Sequence, residues 1–302
     1  MVHEALIYRG TNHFGDVVSA YATEAAEAGE PVLAVLPQGS YELVQSAVHG
    51  SGAQTQFEDM SERGRNPTCL LDVFEDWIDA HDGPVRVIGE PVWPGRRQAE
   101  IVEVLRHEAL INHVLASASI SILCPYDGEH LAADVLEGAE LTHPQLVSNG
   151  SRRPSPRYGD PLEVYAATRW PQPPGTEPIS ELDFSGDLRG LREAVTSDPV
   201  CGVLSGLRRA DLVFVVNEAA TNALRHGDGS CRVRLWREGD TVVSEVVTKS
   251  QLGDATTGRR RPAMDGSGGR GLWLINQLCD LVELRSGVGG TRLRMHLRDP
   301  AA

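Results

Sequence analysis

The sequence predicts a protein of two α/β domains, and three observations support this. The chain has 302 residues, more than a single hydrophobic core usually serves. Its first half alternates short apolar runs with amphipathic stretches, an order typical of a parallel sheet covered by helices. Between residues 148 and 178 the apolar periodicity stops, and Pro, Gly and Ser accumulate. We therefore expect domains at residues 1–147 and 179–302, joined by a linker at residues 148–178.

Composition limits the classes of function. The formal net charge of −14 argues against direct DNA binding, which needs a basic surface to neutralise phosphates. No stretch approaches the roughly 18 consecutive apolar residues of a membrane span, and the start of the chain has no signal-peptide pattern, so we expect a cytoplasmic protein that does not insert into a membrane. The five cysteines have no CxxC spacing, which predicts neither a disulfide framework nor a structural metal. Because Lys249 is the only lysine and follows no glycine-rich run, a P-loop is excluded.

The elements of the first half follow from hydrophobic periodicity. Strands are predicted at residues 5–8, 32–36, 54–58, 85–88 and 120–123, and helices at residues 16–28, 41–48, 68–80, 98–114 and 132–141. Parallel sheets of this kind bind ligands beyond the carboxyl ends of their strands. The histidines of this half raise the hypothesis of a metal or haem site: His107 and His113 lie on one predicted helix, and His3, His13 and His143 lie elsewhere. A spacing of six residues does not place two imidazoles on one helix face, so we do not predict a metal site from them.

Several stretches between these elements are rich in polar residues, glycine and proline. They read DMSERGRNP at residues 59–67, GEPVWPGR at 89–96, HEALIN at 107–112 and CPYD at 124–127. With these stretches, residues 1–147 resemble the MEDS domain, the sensory domain named after the DcmR regulators and similar to the RecA/KaiC fold. The resemblance implies an input module for a small-molecule signal, whose identity the motifs do not disclose.

The second domain is organised around the stretch DLVFVVNEAATNALRHG at residues 211–227. Its apolar residues recur at helical spacing, which predicts one helix with a buried stripe. Glu218 and Asn222 are four residues apart and therefore share a face of this helix. A carboxylate and a carboxamide oxygen at this spacing suit Mg²⁺ binding or general-base chemistry, although such a pair also occurs on solvated helix faces.

Two glycine-rich stretches follow, GGRGL at residues 268–272 and GGT at residues 289–291. Clustered glycines let backbone N–H groups approach an anion, and the start of a helix adds a favourable dipole. In this order, the helix and the two glycine stretches resemble the N box, the second glycine box and the third element of the GHKL ATPases. The match is closest to the branch of anti-sigma factors and serine kinases, and it covers roughly the last 120 residues.

The resemblance implies an α/β sandwich and a set of roles. Residues 249–270 have no core-forming pattern and occupy the place of the GHKL lid over the nucleotide. Glu218 would be the catalytic base that activates a hydroxyl of a protein substrate, and Asn222 would hold Mg²⁺ with the nucleotide. The remaining residues expected to bind ATP or ADP are Thr248, Gly269, Arg270, Gly271, Leu272 and Thr291.

One position departs from the family pattern. The second strand of the GHKL domain normally ends in an Asp-x-Gly element, whose aspartate accepts a hydrogen bond from the adenine amino group. Here Thr248 stands at the aspartate position and Ser250 at the glycine position. A hydroxyl can accept this bond, but a charged acceptor is about twice as strong. The loss would be on the order of 1–3 kcal/mol, or about 10- to 100-fold in nucleotide affinity.

Three functions remain open. By resemblance, the leading one is a partner-switching transcriptional regulator that binds an RNA polymerase sigma factor and a STAS-domain anti-anti-sigma protein, with or without serine kinase activity. Arg189 and Arg192, on the helix predicted at residues 187–194, are the candidate docking residues, and relatives of this domain commonly form homodimers. The second function is a nucleotide-independent ligand sensor and docking protein. The third, a sensor histidine kinase, needs a phosphoacceptor histidine before the ATPase domain, and residues 148–207 contain none.

Overall fold

A computed structural model describes residues 1–148, 151–168, 180–262 and 269–299. The chain divides into two compact units, Met1–Thr168 and Arg169–Ala302. The first contains a mostly parallel sheet and the second an antiparallel sheet with helices. The predicted α/β class is thereby confirmed for both halves.

The first unit is a seven-stranded sheet in the order β3-β2-β4-β5-β1-β6-β7. Every pairing is parallel except that of β6 with β7. All five residues of the interior strand β2 are buried, as its unbroken apolar sequence VLAVL requires. The strands are β1 Val2–Tyr8, β2 Val32–Leu36, β3 Thr55–Asp59, β4 Val85–Gly89, β5 Ile120–Asp127, β6 Gln145–Ser148 and β7 Ser151–Pro154, and the helices are α1 Thr11–Ala28, α2 Gln38–His49, α3 Met60–Arg63, α4 Leu70–Asp79, α5 Gln98–Val114, α6 Ala133–Thr142 and α7 Pro161–Ala167.

Part of the stretch that we interpreted as a linker is folded onto the first unit. Strand β7 pairs with β6, and the Arg152 guanidinium reaches the buried carboxylate of Glu4 at 2.8 Å. Helix α7 begins after Asp160, whose carboxylate caps the N–H groups of its first turn, and the ring of Tyr165 lies 3.9 Å from the Arg106 guanidinium carbon. These short, polar elements have no apolar period of their own, so their order depends on contacts with the larger sheet and with α5.

The second unit is a five-stranded antiparallel sheet in the order β11-β12-β10-β9-β8. Helices α8 and α10 pack against the central α9, and α9 lies on strands β9, β10 and β12. The elements are β8 Ser180–Phe184, α8 Leu188–Ser197, α9 Gly206–His226, β9 Cys231–Glu238, β10 Thr241–Thr248, α10 Arg270–Leu278, β11 Leu281–Gly287 and β12 Gly290–Leu297.

Alternation along the central strands decides which side chains face the helices. Val242 and Val246 on β10 and Leu293 on β12 belong to the core that the helices cover. Thr248 continues this series on β10, so its side chain also lies on the helical face of the sheet. The intervening residues carry charges: Glu245 is 2.8 Å from the Arg294 guanidinium across the β10–β12 pair. The helical face of the sheet is therefore the one on which a ligand site can form.

Candidate functional site

Helix α9 holds Glu218 and Asn222 in a fixed orientation. The Ser205 hydroxyl caps its first turn by accepting from the Arg208 N–H at 3.4 Å, and the Arg208 guanidinium donates to Asp280 at 2.7 Å. Farther along, the apolar stripe of the helix is buried in the core. Glu218 and Asn222 flank this stripe and are half-buried. Within the described residues neither side chain makes a hydrogen bond inside the protein, so both can accept a ligand.

The start of α10 lies directly against this face of α9. Gly269 has φ 84°, a left-handed conformation that favours glycine, and it turns the chain into the helix. A Cβ atom at Gly271 would lie 2.9 Å from Glu218 Oε2 and 3.2 Å from Asn222 Nδ2. The missing side chain of Gly271 thus lets the start of α10 lie close to both of these side chains. Arg270, the first residue of α10, is exposed beside this space.

A cavity of about 360 Å³ opens between α9, α10 and the end of the sheet. Ala219, Ala223, Val246 and Leu293 give it an apolar wall, which suits the ring of a base. Six of the residues predicted from the sequence line it: Asn222, Thr248, Gly269, Gly271, Leu272 and Thr291. Glu218 lies beside the cavity, since its Oε2 is 2.9 Å from the position that a Cβ atom of Gly271 would take.

Thr248 and Thr291 are cross-strand partners on β10 and β12. The Thr291 hydroxyl donates to the Ser250 carbonyl at 2.7 Å, and the Thr248 Oγ1 accepts from the Ser250 N–H at 3.4 Å. Both hydroxyls therefore hold the chain as it leaves β10, and that segment contributes Ser250, Gln251, Leu252 and Gly253 to the cavity wall. The position where the family pattern has an aspartate is thus inside the cavity, with a neutral side chain.

Two glycines matter more to this site than the sequence indicated. A side chain at Gly227, which ends α9, would clash with the Ala223 carbonyl oxygen. Gly290 has φ 98°, and a side chain there would clash with the Thr248 carbonyl oxygen and lie 2.9 Å from the Lys249 Cα. Both glycines occur in the stretches TNALRHG and GGT, so their presence was visible in the sequence. Their tight packing depends on strand and helix positions that the sequence does not specify.

Other predicted positions lie outside the cavity. Arg189 is exposed on α8 and pairs with Glu193 at 2.9 Å, while Arg192 donates to the side chain of Asn217 at 3.0 Å. Asp254, an acid near the altered Thr248 position, is engaged by the Thr256 N–H and hydroxyl, both at 2.8 Å. Asp265 and Gly268 lie outside the described residues. Arg189 and Arg192 therefore belong to a separate, solvent-facing surface.

The arrangement fits a nucleotide with Mg²⁺. Among the described residues of the second unit, no three His, Cys, Asp or Glu side chains converge as metal ligands. A magnesium ion would therefore be held jointly by Asn222 and the phosphates, which is how proteins usually bind Mg²⁺ with a nucleotide. Glu218 would be the nearest carboxylate to such a complex and is placed to accept a proton.

These features define a class: a mostly parallel α/β domain followed by an α/β sandwich with a nucleotide-type cavity beside its central helix. Comparison with family models gives the particular families. The model of the MEDS domain, the methanogen/methylotroph DcmR sensory domain, matches residues 2–144. The model of the histidine kinase-like ATPase domain matches residues 185–297. The chain therefore joins an N-terminal MEDS domain to a C-terminal GHKL-type ATPase domain, a pairing that indicates a regulatory kinase-like protein.

A comparison with curated proteins found no match. In the described part of the chain, no helix combines the length and the apolar character that crossing a bilayer requires.

Proposed function

We propose that this protein is a partner-switching regulator of transcription. Its ATPase-like domain binds an RNA polymerase sigma factor and is displaced from it by a STAS-domain anti-anti-sigma protein, while the MEDS domain adjusts this exchange in response to a small molecule. The observation that carries the proposal is the convergence of Glu218, Asn222 and Gly271 beside the cavity. This is the site through which a serine kinase of this class would act on its protein partner.

Each residue of the site would have its own role in phosphoryl transfer. Mg·ATP supplies the phosphoryl group when it is bound. Asn222 would hold the magnesium ion, and the N–H groups at the start of α10 near Gly269 and Gly271 would donate hydrogen bonds to the phosphate oxygens. Glu218 would accept the proton of the attacking serine hydroxyl, because its Oε2 lies beside the start of α10, where the phosphates would be held.

Thr248 lowers the affinity of this site for adenine nucleotides. Its neutral hydroxyl replaces a charged acceptor, and it is already engaged by the Ser250 N–H at 3.4 Å. Partner binding does not need this contact, which supports a second version of the proposal, a domain that binds proteins without using nucleotide. A sensor histidine kinase is less well supported, because residues 148–207, which precede the helix with Glu218 and Asn222, contain no histidine.

Calorimetric titration with Mg·ATP tests the nucleotide part. We expect Thr248→Asp to bind Mg·ATP about 10- to 100-fold more tightly than the wild type, since it restores a charged acceptor inside the cavity. Thr196→Asp is the matched control: it adds the same charge to the same domain on the exposed side of α8 and should bind like the wild type. If both the wild type and Thr248→Asp give no heat at millimolar nucleotide, the kinase version is wrong.

Affinity capture from the extract of the source organism tests the partner part. The full chain should recover a sigma factor or a STAS-domain protein. Arg192→Glu should reduce that recovery, because it reverses a charge on the exposed surface of α8 without entering the cavity. Recovery of neither class of protein by the wild type would count against partner switching, whatever the nucleotide result.

A further inference from the structure

Four side chains with metal-binding atoms converge inside the first unit. They come from four separate elements: His3 from β1, Glu108 from α5, Cys124 from β5 and His143 from the residue after α6. All four residues are at most 2% exposed. One ligand atom from each lies within 4.8 Å of the others. The nucleotide-type cavity in the other domain involves none of them.

Hydrogen bonds outside the cluster determine which ring nitrogens carry protons. Asn112 Nδ2 donates to the carbonyls of Glu108 and Thr142, both at 2.8 Å, so its Oδ1 is left to accept from His3 Nδ1 at 3.0 Å. His143 Nδ1 donates to the Ala139 carbonyl at 2.8 Å. In each neutral imidazole, Nε2 therefore directs a lone pair into the cluster.

The inward-facing atoms are all acceptors or weak donors. Glu108 Oε2 lies 2.9 Å from His3 Nε2 and 3.3 Å from His143 Nε2. A single proton can join only one imidazole to the carboxylate and leaves the other lone pair facing it. Protonating both imidazoles would bury two cations against one carboxylate, which is unfavourable in a protein interior. A divalent cation at the centre satisfies all four ligands at once.

Three of the six distances between ligand atoms match the edges of a zinc tetrahedron, and a fourth is shorter by about 0.4 Å. Zinc–ligand bonds of about 2.0–2.1 Å to nitrogen or oxygen and about 2.3 Å to sulfur give edges of about 3.3 Å between N and O, and about 3.6 Å to S. Cys124 Sγ is 3.6 Å from both His3 Nε2 and Glu108 Oε2. The His143–Glu108 edge is 3.3 Å, and the His3–Glu108 edge, at 2.9 Å, would open by about 0.4 Å around an ion.

We propose that His3, Glu108, Cys124 and His143 form a closed Zn²⁺ site in the sensory domain. Four protein ligands leave no open position, so the site is structural, not catalytic. Each imidazole donates its outer N–H to a carbonyl or carboxamide oxygen, the second-shell arrangement that metal-bound histidines usually have. The ion ties β1 and β5 to α5 and to the residue that follows α6. It departs from the sequence expectation of no structural metal, which depended on CxxC and helical spacing only.

Metal content of the purified full-length protein provides the first test. After dialysis against metal-free buffer, we expect about one zinc ion per chain by plasma mass spectrometry. Replacement with Co²⁺ should give a thiolate-to-cobalt charge-transfer band and the d–d bands of a tetrahedral site. Cys124→Ser should lose the charge-transfer band and weaken Zn²⁺ binding by at least about 100-fold, because it removes a direct ligand. Cys69→Ser, which changes a cysteine of the same domain outside the cluster, should retain both.

The outcomes separate cleanly. Zinc retained at one per chain in both Cys124→Ser and His143→Ala would place the ion elsewhere and overturn the proposal. A wild-type protein that takes up neither Zn²⁺ nor Co²⁺ at micromolar concentration would overturn it as well. The wild-type Co²⁺ titration does not require any variant to fold, and a band that involves thiolate in the wild type but persists in Cys124→Ser would also refute the assignment.

Discussion

Gly271→Ala offers the sharpest test of the space between α9 and α10. Gly271 is in the first turn of α10 with an ordinary helical backbone, so alanine should raise the stability of the helix by about 0.5–1 kcal/mol. The new methyl group, however, would lie 2.9 Å from Glu218 Oε2, where ordinary contact begins at 3.4 Å. Glu218 must then move by about 0.5 Å, which displaces it from the position beside Asn222 that the proposed reaction needs.

We therefore expect an unchanged or higher Tm together with weaker nucleotide binding. Mg·ATP affinity should fall at least about 10-fold, equivalent to about 1.4 kcal/mol. Phosphoryl transfer to a protein serine should fall by up to about 100-fold, since a misplacement near 1 Å can cost that much. The assay is calorimetry with Mg·ATP in the wild-type and Thr248→Asp backgrounds, alongside thermal unfolding.

Gly206→Ala is the matched control for this change. Gly206 is also in the first turn of a helix, α9, but a Cβ atom there meets nothing within 4 Å. It should gain similar helix stability and bind nucleotide like its background. Equal Mg·ATP affinity in Gly271→Ala and Gly206→Ala would refute the inference that the close packing of Gly271 against Glu218 and Asn222 is needed for nucleotide binding.

Two further changes test one feature of each domain: the close packing of Gly290 in the second and the buried carboxyl group of Glu90 in the first. Gly290→Ala should lower the free energy of unfolding by about 2–4 kcal/mol, because it combines a positive φ with a clash against the Thr248 carbonyl. Gly289→Ala, where a Cβ atom meets nothing within 4 Å, should change the free energy of unfolding little. Equal effects of the two variants in urea unfolding would contradict this prediction. Glu90→Gln should flatten the pH dependence of stability, because burial, only partly offset by hydrogen bonds from Ser40 and Tyr8, raises the Glu90 pKa from about 4.5 to about 7. In the wild type, about 3 kcal/mol of stability that is present below pH 4.5 should be lost as the pH rises to about 7. Unfolding midpoints measured from pH 4 to 8 should show this slope in the wild type only.

The phosphate end of the site could be predicted from the sequence because its signals are local. The spacing of Glu218 and Asn222 fixes a shared helix face, and the glycines near residue 270 indicate a close approach of backbone. Strand alternation places Thr248 on the same face of β10 as Val246. That this face is the one covered by the helices is known only from the structure. The wall at residues 250–253 could not be predicted, because it follows no periodic pattern and is held by the hydroxyls of Thr248 and Thr291.

The buried cluster of the sensory domain shows where sequence spacing stops being informative. Its members are up to 140 residues apart, from His3 to His143, and meet because β1 and β5 are parallel neighbours with His3 opposite Ile122. Helical spacing could be assessed only for His107 and His113, which share a helix with Glu108 but do not belong to the cluster. Tertiary register, unlike helical spacing, cannot be counted along the chain.

Different elements form the two ends of the nucleotide-type cavity, so a substitution at Thr248 affects only one of them. In the proposed complex, the phosphates would lie at α9 and the start of α10, and the base would lie at the ends of β10 and β12. A substitution at the strand end would therefore change the hydrogen bond to the base without moving Glu218, Asn222 or Gly271. It would lower the nucleotide affinity and the preference for adenine, and it would leave the arrangement of these three residues unchanged. A protein altered in this way would respond only at high nucleotide concentration, so that partner binding, not nucleotide occupancy, would decide its state over most conditions.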